Sequence, residues 1–336
     1  MAVHETDVVV VGAGPVGLFA VFECGMVRLR CHVVDTLEAV GGQCAALYPE
    51  KPIYDIPGYP KILAAELIER LTEQAAPFEP VYHLARQVVG LTRQGERWRC
   101  TLSDGTEILA AAVIIAAGVG AFGPNRPPLA GIESFEGKSV FYLVTRRDDF
   151  RGKRVVIAGG GDSAVDWALS LSELAERVMV VHRRDKFRAA PESAARLAQL
   201  AREGLIDLVV PYQLHGLEGS NGHLQAVTVA TLDGQVRQLE ADVLLPFFGL
   251  ATNLGPIAEW GLDMEKSHIA VDPATCATSA PGVFAVGDIA NYRGKLKLIL
   301  SGFAEAAAAA HAAHAVAHPG EVMHFEYSTT SGVPGA

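Results

Sequence analysis

Two glycine-rich turns, each between an apolar run and a helical pattern, constrain the fold of this chain more than any other feature. The first, Gly12–Gly17, reads GAGPVG after four valines, and the second, Gly159–Ala164, reads GGGDSA after a similar apolar run. In a βαβ unit, such a turn lets backbone N–H groups at a helix N-terminus approach a pyrophosphate. In each copy the second strand of the unit ends 23 residues after the first glycine. The sequence therefore predicts two dinucleotide sites.

The residues that end these two strands differ in charge. In the first copy this residue is Asp35, an acceptor for the hydroxyl pair of an adenosine ribose, as in fingerprints for FAD or NAD. In the second copy it is His182, followed by Arg183 and Arg184, with Arg188 nearby. A guanidinium group pairs with a 2′-phosphate, whereas an acid would repel it. The second site is therefore interpreted as an NADPH site, with a solvated basic loop as the alternative.

A repeated plan extends beyond the turns. Each βαβ unit is followed by a small meander and by a return strand that ends in glycine. In the first copy these segments are 87–93, 98–102, 107–109 and 112–118, and in the second they are 208–212, 224–230 and 242–249. A further buried strand, 283–286, precedes Gly287 and Asp288 and is expected to rejoin the first domain. At 336 residues the chain has room for about two domains of ordinary size.

The predicted fold class is α/β, with two Rossmann-like three-layer dinucleotide-binding domains and the NADPH domain inserted into the FAD domain. The expected boundaries are 1–119 and 252–336 for the FAD domain and 124–247 for the NADPH domain. The connections near 118–126 and 248–253 contain glycines and are expected to serve as hinges for a swivel of the domains.

The first copy contains an additional segment, 40–60, which is rich in glycine, proline and tyrosine. It leaves the carboxyl edge of the sheet, where ligands of doubly wound folds bind, so it is expected to wrap a flavin. Within it Gln43 offers an amide for the ribityl or pyrimidine edge and Tyr48 a ring for stacking, with loop packing as the alternative. Asp288 is expected to accept from a ribityl hydroxyl, and the helix starting near Ser301 to direct its positive end at the flavin.

Composition excludes several other classes of function. The formal charge of −10 argues against a general nucleic-acid binder. No uninterrupted apolar run reaches the length of about 18 residues that a membrane span needs, and the N-terminus lacks a signal-peptide pattern. We therefore expect a soluble, cytoplasmic protein that binds neither membrane nor nucleic acid.

Cysteine and histidine spacing predicts neither a disulfide framework nor a metal site. The five cysteines are dispersed without a Cys-x-x-Cys pair. Cys44 alone, beside the predicted flavin, supports a reactive-thiol hypothesis. His311, His314 and His318 share one stripe of a helix, but no nearby carboxylate or cysteine completes a set of metal ligands.

Over nearly its full length the chain resembles the thioredoxin-reductase-like flavoproteins. The resemblance is carried by the motifs Gly12–Gly17, Gly41–Cys44, Tyr48–Lys51, Gly159–Trp167, His182–Asp185 and Gly287–Ala290. Residues 142–145, which read YLVT, occupy the place of the redox-active Cys-x-x-Cys of thioredoxin reductases, so a dithiol relay is excluded. Residues 159–168, 295–299 and 301–305 are most similar to the ferredoxin/flavodoxin–NADP⁺ reductase branch of this group.

The resemblance implies cofactors, contacts and a reaction. Matched position by position, the family's FAD contacts fall on Pro15, Asp35, Gln43, Tyr48, Val88, Phe122, Asp288 and Thr329. The glycine-rich turns themselves add Gly12, Gly14 and Gly17 to the predicted FAD contacts, and they predict NADPH contacts at Gly159, Gly161, Asp162, Ser163, Arg183, Arg184 and Arg188. Hydride from NADPH would pass to flavin N5, and electrons would leave to ferredoxin or flavodoxin without a catalytic side chain. Members are homodimers. Basic residues Arg293, Lys295 and Lys297 form a candidate dock for an acidic carrier.

Two other functions fit the same pair of sites. One is an NADPH oxidase or quinone-type reductase that uses the flavin without a protein partner. The other is a sensor that binds FAD and NADPH without productive turnover.

Overall fold

The chain folds into two units, one of them inserted into the other. The structure, a computed structural model, describes residues 3–321 and 332–333, and for residues 121–124 and 250–252 the backbone alone. One unit comprises Met1–Phe122 and Thr252–Ala336, and the other comprises Gly123–Ala251. The first unit is therefore discontinuous in sequence, whereas the second is a single stretch of chain.

The helices and strands follow the predicted alternation. The helices are α1 Pro15–Met26, α2 Gly42–Ala46, α3 Ala64–Ala75, α4 Asp162–Leu171, α5 Pro191–Arg202 and α6 Ile299–Ala317. The strands are β1 Val3–Val11, β2 Cys31–Val34, β3 Pro52–Ile53, β4 Ile62–Leu63, β5 Val81–His83, β6 Val88–Gln94, β7 Arg97–Leu102, β8 Glu107–Ile115, β9 Ala121–Pro124, β10 Arg154–Ala158, β11 Arg177–Val181, β12 Asp207–Val209, β13 Gln213–Ser220, β14 His223–Ala230, β15 Val236–Glu240, β16 Val243–Pro246, β17 Leu250–Asn253, β18 Met264–Glu265, β19 His268–Ala270, β20 Val283–Ala285 and β21 Ala290–Asn291.

A mixed sheet of order β5-β2-β1-β8-β7-β6 forms the centre of the first unit. Strands β5, β2, β1 and β8 are parallel, and β20 pairs in parallel with the last three residues of β8. The first half of β8 instead pairs antiparallel with β7, which continues into β6. The apolar run Val8–Val11 forms the end of the central strand β1, and it is buried because both faces of a parallel sheet are covered.

Helices α1 and α6 cover one face of this sheet. Four alanines of α6 (Ala306, Ala309, Ala310 and Ala313) are fully buried against α1 and the strands. Their small side chains let the helix approach closely, which explains the alanine-rich sequence of this segment. On the other face the β6–β8 meander packs with residues 254–290 around Ile108, Ile257 and Ile269. Together the layers make a three-layer domain.

The second unit repeats this plan on a smaller scale. Its parallel sheet has the order β12-β11-β10-β16, and a separate antiparallel sheet has the order β13-β14-β15. The apolar strands β10, β11 and β16 are buried at Val155–Ala158, Val178–Val181 and Val243–Leu245. The predicted α/β class, with two Rossmann-like domains and one inserted into the other, is confirmed.

Two details of the predicted repeat are wrong. Residues 208–212 are predicted to begin the second meander, but Leu208 and Val209 belong to β12, which is parallel to β11 and extends the parallel sheet of this unit. The first meander strand is instead β13. Residues 107–109 and 112–118 are predicted as separate segments, but Glu107–Ile115 forms one continuous strand, β8, that serves both parts of the sheet.

Candidate functional site

A cavity of about 300 Å³ opens in the first unit at the carboxyl ends of its parallel strands. Its wall includes the ends of β1, β2 and β8, the start of α1, the turn at α2 and the start of α6. Ligands of doubly wound α/β folds bind at this edge because the helix N-termini and strand ends converge there.

The first glycine-rich turn shapes the floor of the cavity. Gly12 has a φ of +110°, and a Cβ atom there would lie 2.4 Å from the carbonyl oxygen of Ala116. A Cβ atom on Gly17 would lie 1.9 Å from the carbonyl oxygen of Gly12, so this glycine permits the close packing of α1 on β1. A Cβ atom on Gly14 would meet no atom within 4 Å. Gly14 therefore borders open space that a ligand can occupy.

Asp35 links the end of β2 to this turn. Its Oδ2 accepts a hydrogen bond from the N–H of Ala13 at 2.6 Å, and its Oδ1 accepts one from the N–H of Leu37 at 2.8 Å. Burial raises the pKa of the carboxyl group, while these backbone hydrogen bonds act in the opposite direction. The carboxylate is thereby held in a fixed orientation at the cavity wall, as a ribose acceptor requires.

The segment 40–60 lies against the same turn, as its predicted role requires. The N–H of Gly41 donates to the carbonyl oxygen of Ala13 at 2.8 Å, and Gly42 is close to Gly14. Gln43 and Tyr48 both line the cavity. Burial raises the pKa of the Tyr48 hydroxyl, which is hydrogen-bonded to the thiol of Cys44.

The reactive-thiol hypothesis for Cys44 is not supported. This side chain is only 2% exposed, and burial raises the pKa of its thiol to about 11. Because the thiolate is the reactive form, a protonated and buried thiol is a poor nucleophile at neutral pH. All five cysteines are buried and free.

The opposite wall of the cavity comes from the end of the first unit. Gly287 and Asp288 line it, followed by Lys297, Leu298 and Ile299. Helix α6 begins at Ile299, two residues before the predicted start, so its N-terminus lies at the cavity. The positive end of the helix dipole is thus available to a ligand.

Lys295 does not belong to a basic docking surface, contrary to the prediction. Its side chain is 3% exposed and forms an ion pair with Glu305, which is itself 5% exposed. Arg293 and Lys297 are exposed, and the Nζ of Lys297 lies 2.6 Å from the Nε2 of His268. The prediction considered the positive charge of Lys295 but not its ion pair with Glu305, which lies ten residues later in the chain.

The structure brings most of the predicted FAD contacts together. Those that line the cavity are Gly12, Gly14, Pro15, Asp35, Gln43, Tyr48, Val88 and Asp288. Gly17 lies behind the turn and acts through packing. The side chain of Phe122 and the whole of Thr329 lie outside the described residues.

Further cavity residues were missed by the sequence reasoning. Thr36 and Leu37 directly follow Asp35, and Arg86 and Gln87 directly precede Val88, so proximity to a predicted contact could have identified them. The N–H of Arg86 donates to the carbonyl oxygen of Asp35 at 2.9 Å, which fixes this second segment beside the first. Leu254 and Ile257 also line the cavity, but no motif marks them.

In the second unit the residues after β11 fold over the glycine-rich turn. The imidazole of His182 packs on Gly160, where a Cβ atom would lie 2.3 Å from its Cε1 atom. Burial, together with the positive charges of Arg183, Arg184 and Arg188, lowers the pKa of His182. The ring is therefore neutral at neutral pH and acts by packing rather than by charge.

Backbone contacts hold the basic residues near this turn. The N–H of Arg188 donates to the carbonyl oxygen of Gly160 at 2.6 Å, and the N–H of Ala190 donates to Oδ1 of Asp162 at 2.9 Å. Asp162 thus orients the basic loop. Arg183, Arg184 and Arg188 are exposed, and so is Ser163 at the start of α4. A Cβ atom on Gly161 would meet no atom within 4 Å, which leaves the backbone of the turn accessible.

Comparison with known proteins agrees with this arrangement. Residues 6–317 match the family described as pyridine nucleotide-disulphide oxidoreductase. A protein of Paramagnetospirillum magneticum named Ferredoxin–NADP reductase is 72% identical over 99% of each chain. A protein of Rhodospirillum rubrum with the same name is 69% identical over 98% of this chain and 97% of its own. The chain belongs to the ferredoxin–NADP reductase family. The matched residues 6–317 include both glycine-rich turns and every described residue of the two sites.

Solved structures support the same fold. The thioredoxin reductase of Lactococcus lactis superposes with a TM-score of 0.80 at 25% identity, covering 93% of this chain and 99% of its own. The thioredoxin reductase of T. acidophilum has a TM-score of 0.80 at 23% identity, covering 93% of this chain and 98% of its own.

Two features are absent from the described residues. No helix there has the length and apolar character to cross a membrane. In the same part of the chain, no group of three or more His, Cys, Asp or Glu side chains is arranged to hold a metal ion.

Proposed function

We propose that the chain is an FAD-dependent oxidoreductase that transfers electrons between NADPH and a one-electron carrier protein, a ferredoxin or a flavodoxin. The observation that carries the proposal is the near-complete match, at 72% and 69% identity, to proteins named Ferredoxin–NADP reductase. The geometry of the two sites supports it independently.

The polar and apolar groups in the wall of the first unit's cavity match the chemical groups of FAD. The open side of Gly14 and the N-terminus of α1 suit a pyrophosphate, because backbone N–H groups and the helix dipole favour an anion. Asp35 would accept from the adenosine ribose, and Asp288 from the ribityl chain. Gln43 and Tyr48 would contact the flavin end, with Val88 as an apolar support.

The turn of the second unit would hold NADPH. Gly159, Gly161 and the N-terminus of α4, with Asp162 and Ser163, would receive the pyrophosphate, and the exposed Arg183, Arg184 and Arg188 would pair with the 2′-phosphate. Within the described part of the chain, no ion pair to a carboxylate is found for any of these three exposed guanidinium groups.

The chain itself contributes binding and orientation rather than a reacting side chain. When bound, FAD supplies a centre that takes up hydride at N5 and releases electrons singly. Asp35, whose carboxylate is held by two backbone N–H groups, would hold this centre and its charge in place together with Asp288 and the start of α6. The cysteines are buried and none is spaced as Cys-x-x-Cys, so transfer to a dithiol has no route in this chain.

Several features of the assembly belong to the same proposal. The units would be the FAD and NADPH domains, and the connections at 118–126 and 248–253 would act as hinges that let one nucleotide approach the other. The protein would be a cytoplasmic homodimer. The exposed Arg293 and Lys297, the latter at the cavity wall, would attract an acidic carrier even though the formal net charge is −10.

Anaerobic stopped-flow spectroscopy tests the proposal. NADPH should bleach the flavin of the purified protein rapidly, and added ferredoxin should then support the reduction of cytochrome c. Bleaching without a response to ferredoxin, together with turnover of oxygen or quinone, would instead indicate an oxidase or quinone reductase. Tight binding of both nucleotides without bleaching would indicate a sensor.

A further inference from the structure

A buried carboxylate in α6 receives hydrogen bonds from the turn that forms the far wall of the cavity. Glu305 is 5% exposed, and its Oε2 accepts from the N–H of Gly287 at 2.8 Å. Its Oε1 accepts from the hydroxyl of Tyr292 at 2.8 Å and from the ammonium group of Lys295. Both carboxylate oxygens are therefore occupied by donors from the stretch 287–295.

Such a group is expensive to bury. Moving two charges out of water carries a large free-energy cost for each ion, and their attraction offsets this cost only with good geometry and further hydrogen bonds. Apolar residues of similar size would fill the same space without that cost. Neither Glu305 nor Lys295 lines the cavity, so direct contact with a cofactor does not account for them.

The ion pair connects three segments of the cavity wall. Gly287 directly precedes Asp288, the proposed ribityl acceptor, and Lys295 lies two residues before Lys297, where the wall continues into α6. A Cβ atom on Gly302 would lie 2.4 Å from Cγ2 of Val16 and 3.4 Å from Cα of Gly287. Helix α6 therefore packs directly on the turn and on α1. From α6, Glu305 accepts the hydrogen bond that holds the turn.

We propose that Glu305 is a positioning residue for FAD, which holds the Gly287–Asp288 turn so that Asp288 faces the cavity, with Lys295 as its buried counter-charge. The inference rests on the proposed FAD-dependent function. It requires a carboxylate in particular, because the donors approach both oxygens. A glutamine of the same shape has one acceptor, and its amide N–H₂ would face either Gly287 N–H or the Lys295 ammonium.

The test is a titration of the apoprotein with FAD in which the quenching of flavin fluorescence reports binding. Glu305→Gln should raise the Kd for FAD at least tenfold and shift the visible absorption band of the bound flavin. Because Glu305 acts through Asp288, adding Glu305→Gln to Asp288→Asn should change the Kd by less than twofold. Adding Lys295→Met to Glu305→Gln should recover most of the lost affinity, since the amide then meets only Gly287 and Tyr292.

Controls separate this inference from the function on which it rests. Glu69→Gln, at an exposed position of α3, should leave the Kd and the spectrum unchanged. If the parent protein binds no FAD, the proposed function fails. If the parent binds FAD and Glu305→Gln binds it equally tightly with the same spectrum, the inference alone fails.

A second variant keeps the test decisive if Glu305→Gln does not fold. Glu305→Asp retains the charge beside Lys295 but is one methylene shorter and cannot reach both Gly287 and Lys295. A positioning role predicts at least a threefold increase in the Kd for FAD. An unchanged Kd would show that charge alone is needed at this position and would overturn the proposal.

Discussion

At the scale of single residues, the charge at the end of the second strand distinguishes the two sites. Asp35 is held by two backbone N–H groups beside the first turn, whereas Arg183 and Arg184 extend from the second unit into solvent. The same βαβ geometry therefore presents an acceptor in one unit and cations in the other. This difference, rather than any difference in fold, is the reason for proposing that the second site binds the 2′-phosphate.

Replacing Arg183 and Arg184 together by alanine should weaken NADPH binding far more than NADH binding. Each lost charge-assisted contact is worth about 1.5–3 kcal/mol, and only NADPH carries the phosphate that these groups would bind. Titration of the variant with each nucleotide gives the two Kd values. The double variant Arg196→Ala, Arg202→Ala, at exposed positions of α5, removes the same number of positive charges and serves as the control. An equal loss for both nucleotides would contradict the 2′-phosphate role.

A second prediction at this scale concerns His32, which is 9% exposed and lies with its Nδ1 atom 2.9 Å from Nε2 of His83. Burial, and then the neighbouring imidazoles, lower its pKa to about 4. In the unfolded chain the imidazole of His32 takes up a proton near pH 6.5, whereas in the folded chain it stays neutral until the pH approaches about 4. His32 therefore contributes stability above pH 6.5. This contribution is lost as the pH falls from about 6.5 towards 4.

Urea unfolding at about pH 7.5 and about pH 5 measures this loss. His32→Asn should show a smaller drop in the unfolding midpoint between the two pH values than the parent protein. His215→Asn, at an exposed position, should behave like the parent. The prediction is wrong if His32→Asn and the parent lose the same stability.

At the scale of elements, the turn between β1 and α1 combines a packing role at Gly17 with a proposed binding role at Gly14. A methyl group on Gly17 would meet the backbone of Gly12, whereas one on Gly14 would enter the open cavity. Gly17→Ala should therefore lower the free energy of unfolding by about 1–3 kcal/mol, as overpacking does. Gly14→Ala should leave the thermal unfolding of the apoprotein almost unchanged but prevent FAD retention. Retention of FAD by Gly14→Ala would show that the open space is not the pyrophosphate site.

The same elements show what a sequence can and cannot predict. The turn Gly12–Gly17 and the strand run Val8–Val11 are local patterns, so the βαβ units were predicted correctly, and Asp35 directly follows β2 at the cavity wall. The prediction that Lys295 is exposed was wrong because its burial depends on the ion pair with Glu305 in α6. The charge of Lys295 alone favoured a position on the surface. Leu208 was assigned to the meander because a short apolar run does not reveal whether its partner strand is parallel or antiparallel.

At the scale of the whole molecule, the second unit is a continuous insertion in the sequence of the first, so it can be tested for independent folding. Gly123–Ala251 is continuous in sequence and has its own core around Val156, Met179 and Leu244. Its two ends are close, because the N–H of Asn125 donates to the carbonyl oxygen of Gly249 at 3.1 Å. A continuous segment with its own core and neighbouring ends meets the requirements for independent folding.

We therefore expect a fragment of residues 123–251 to unfold cooperatively in urea and to bind NADPH with a Kd within about tenfold of the parent value, because every proposed NADPH contact lies inside it. Circular dichroism and nucleotide titration measure the two properties. The Arg183→Ala, Arg184→Ala version of the fragment should fold equally well but lose preference for NADPH over NADH. A fragment that shows no cooperative transition would mean that the inserted unit depends on the remainder of the chain for its stability, despite its continuous sequence and separate core.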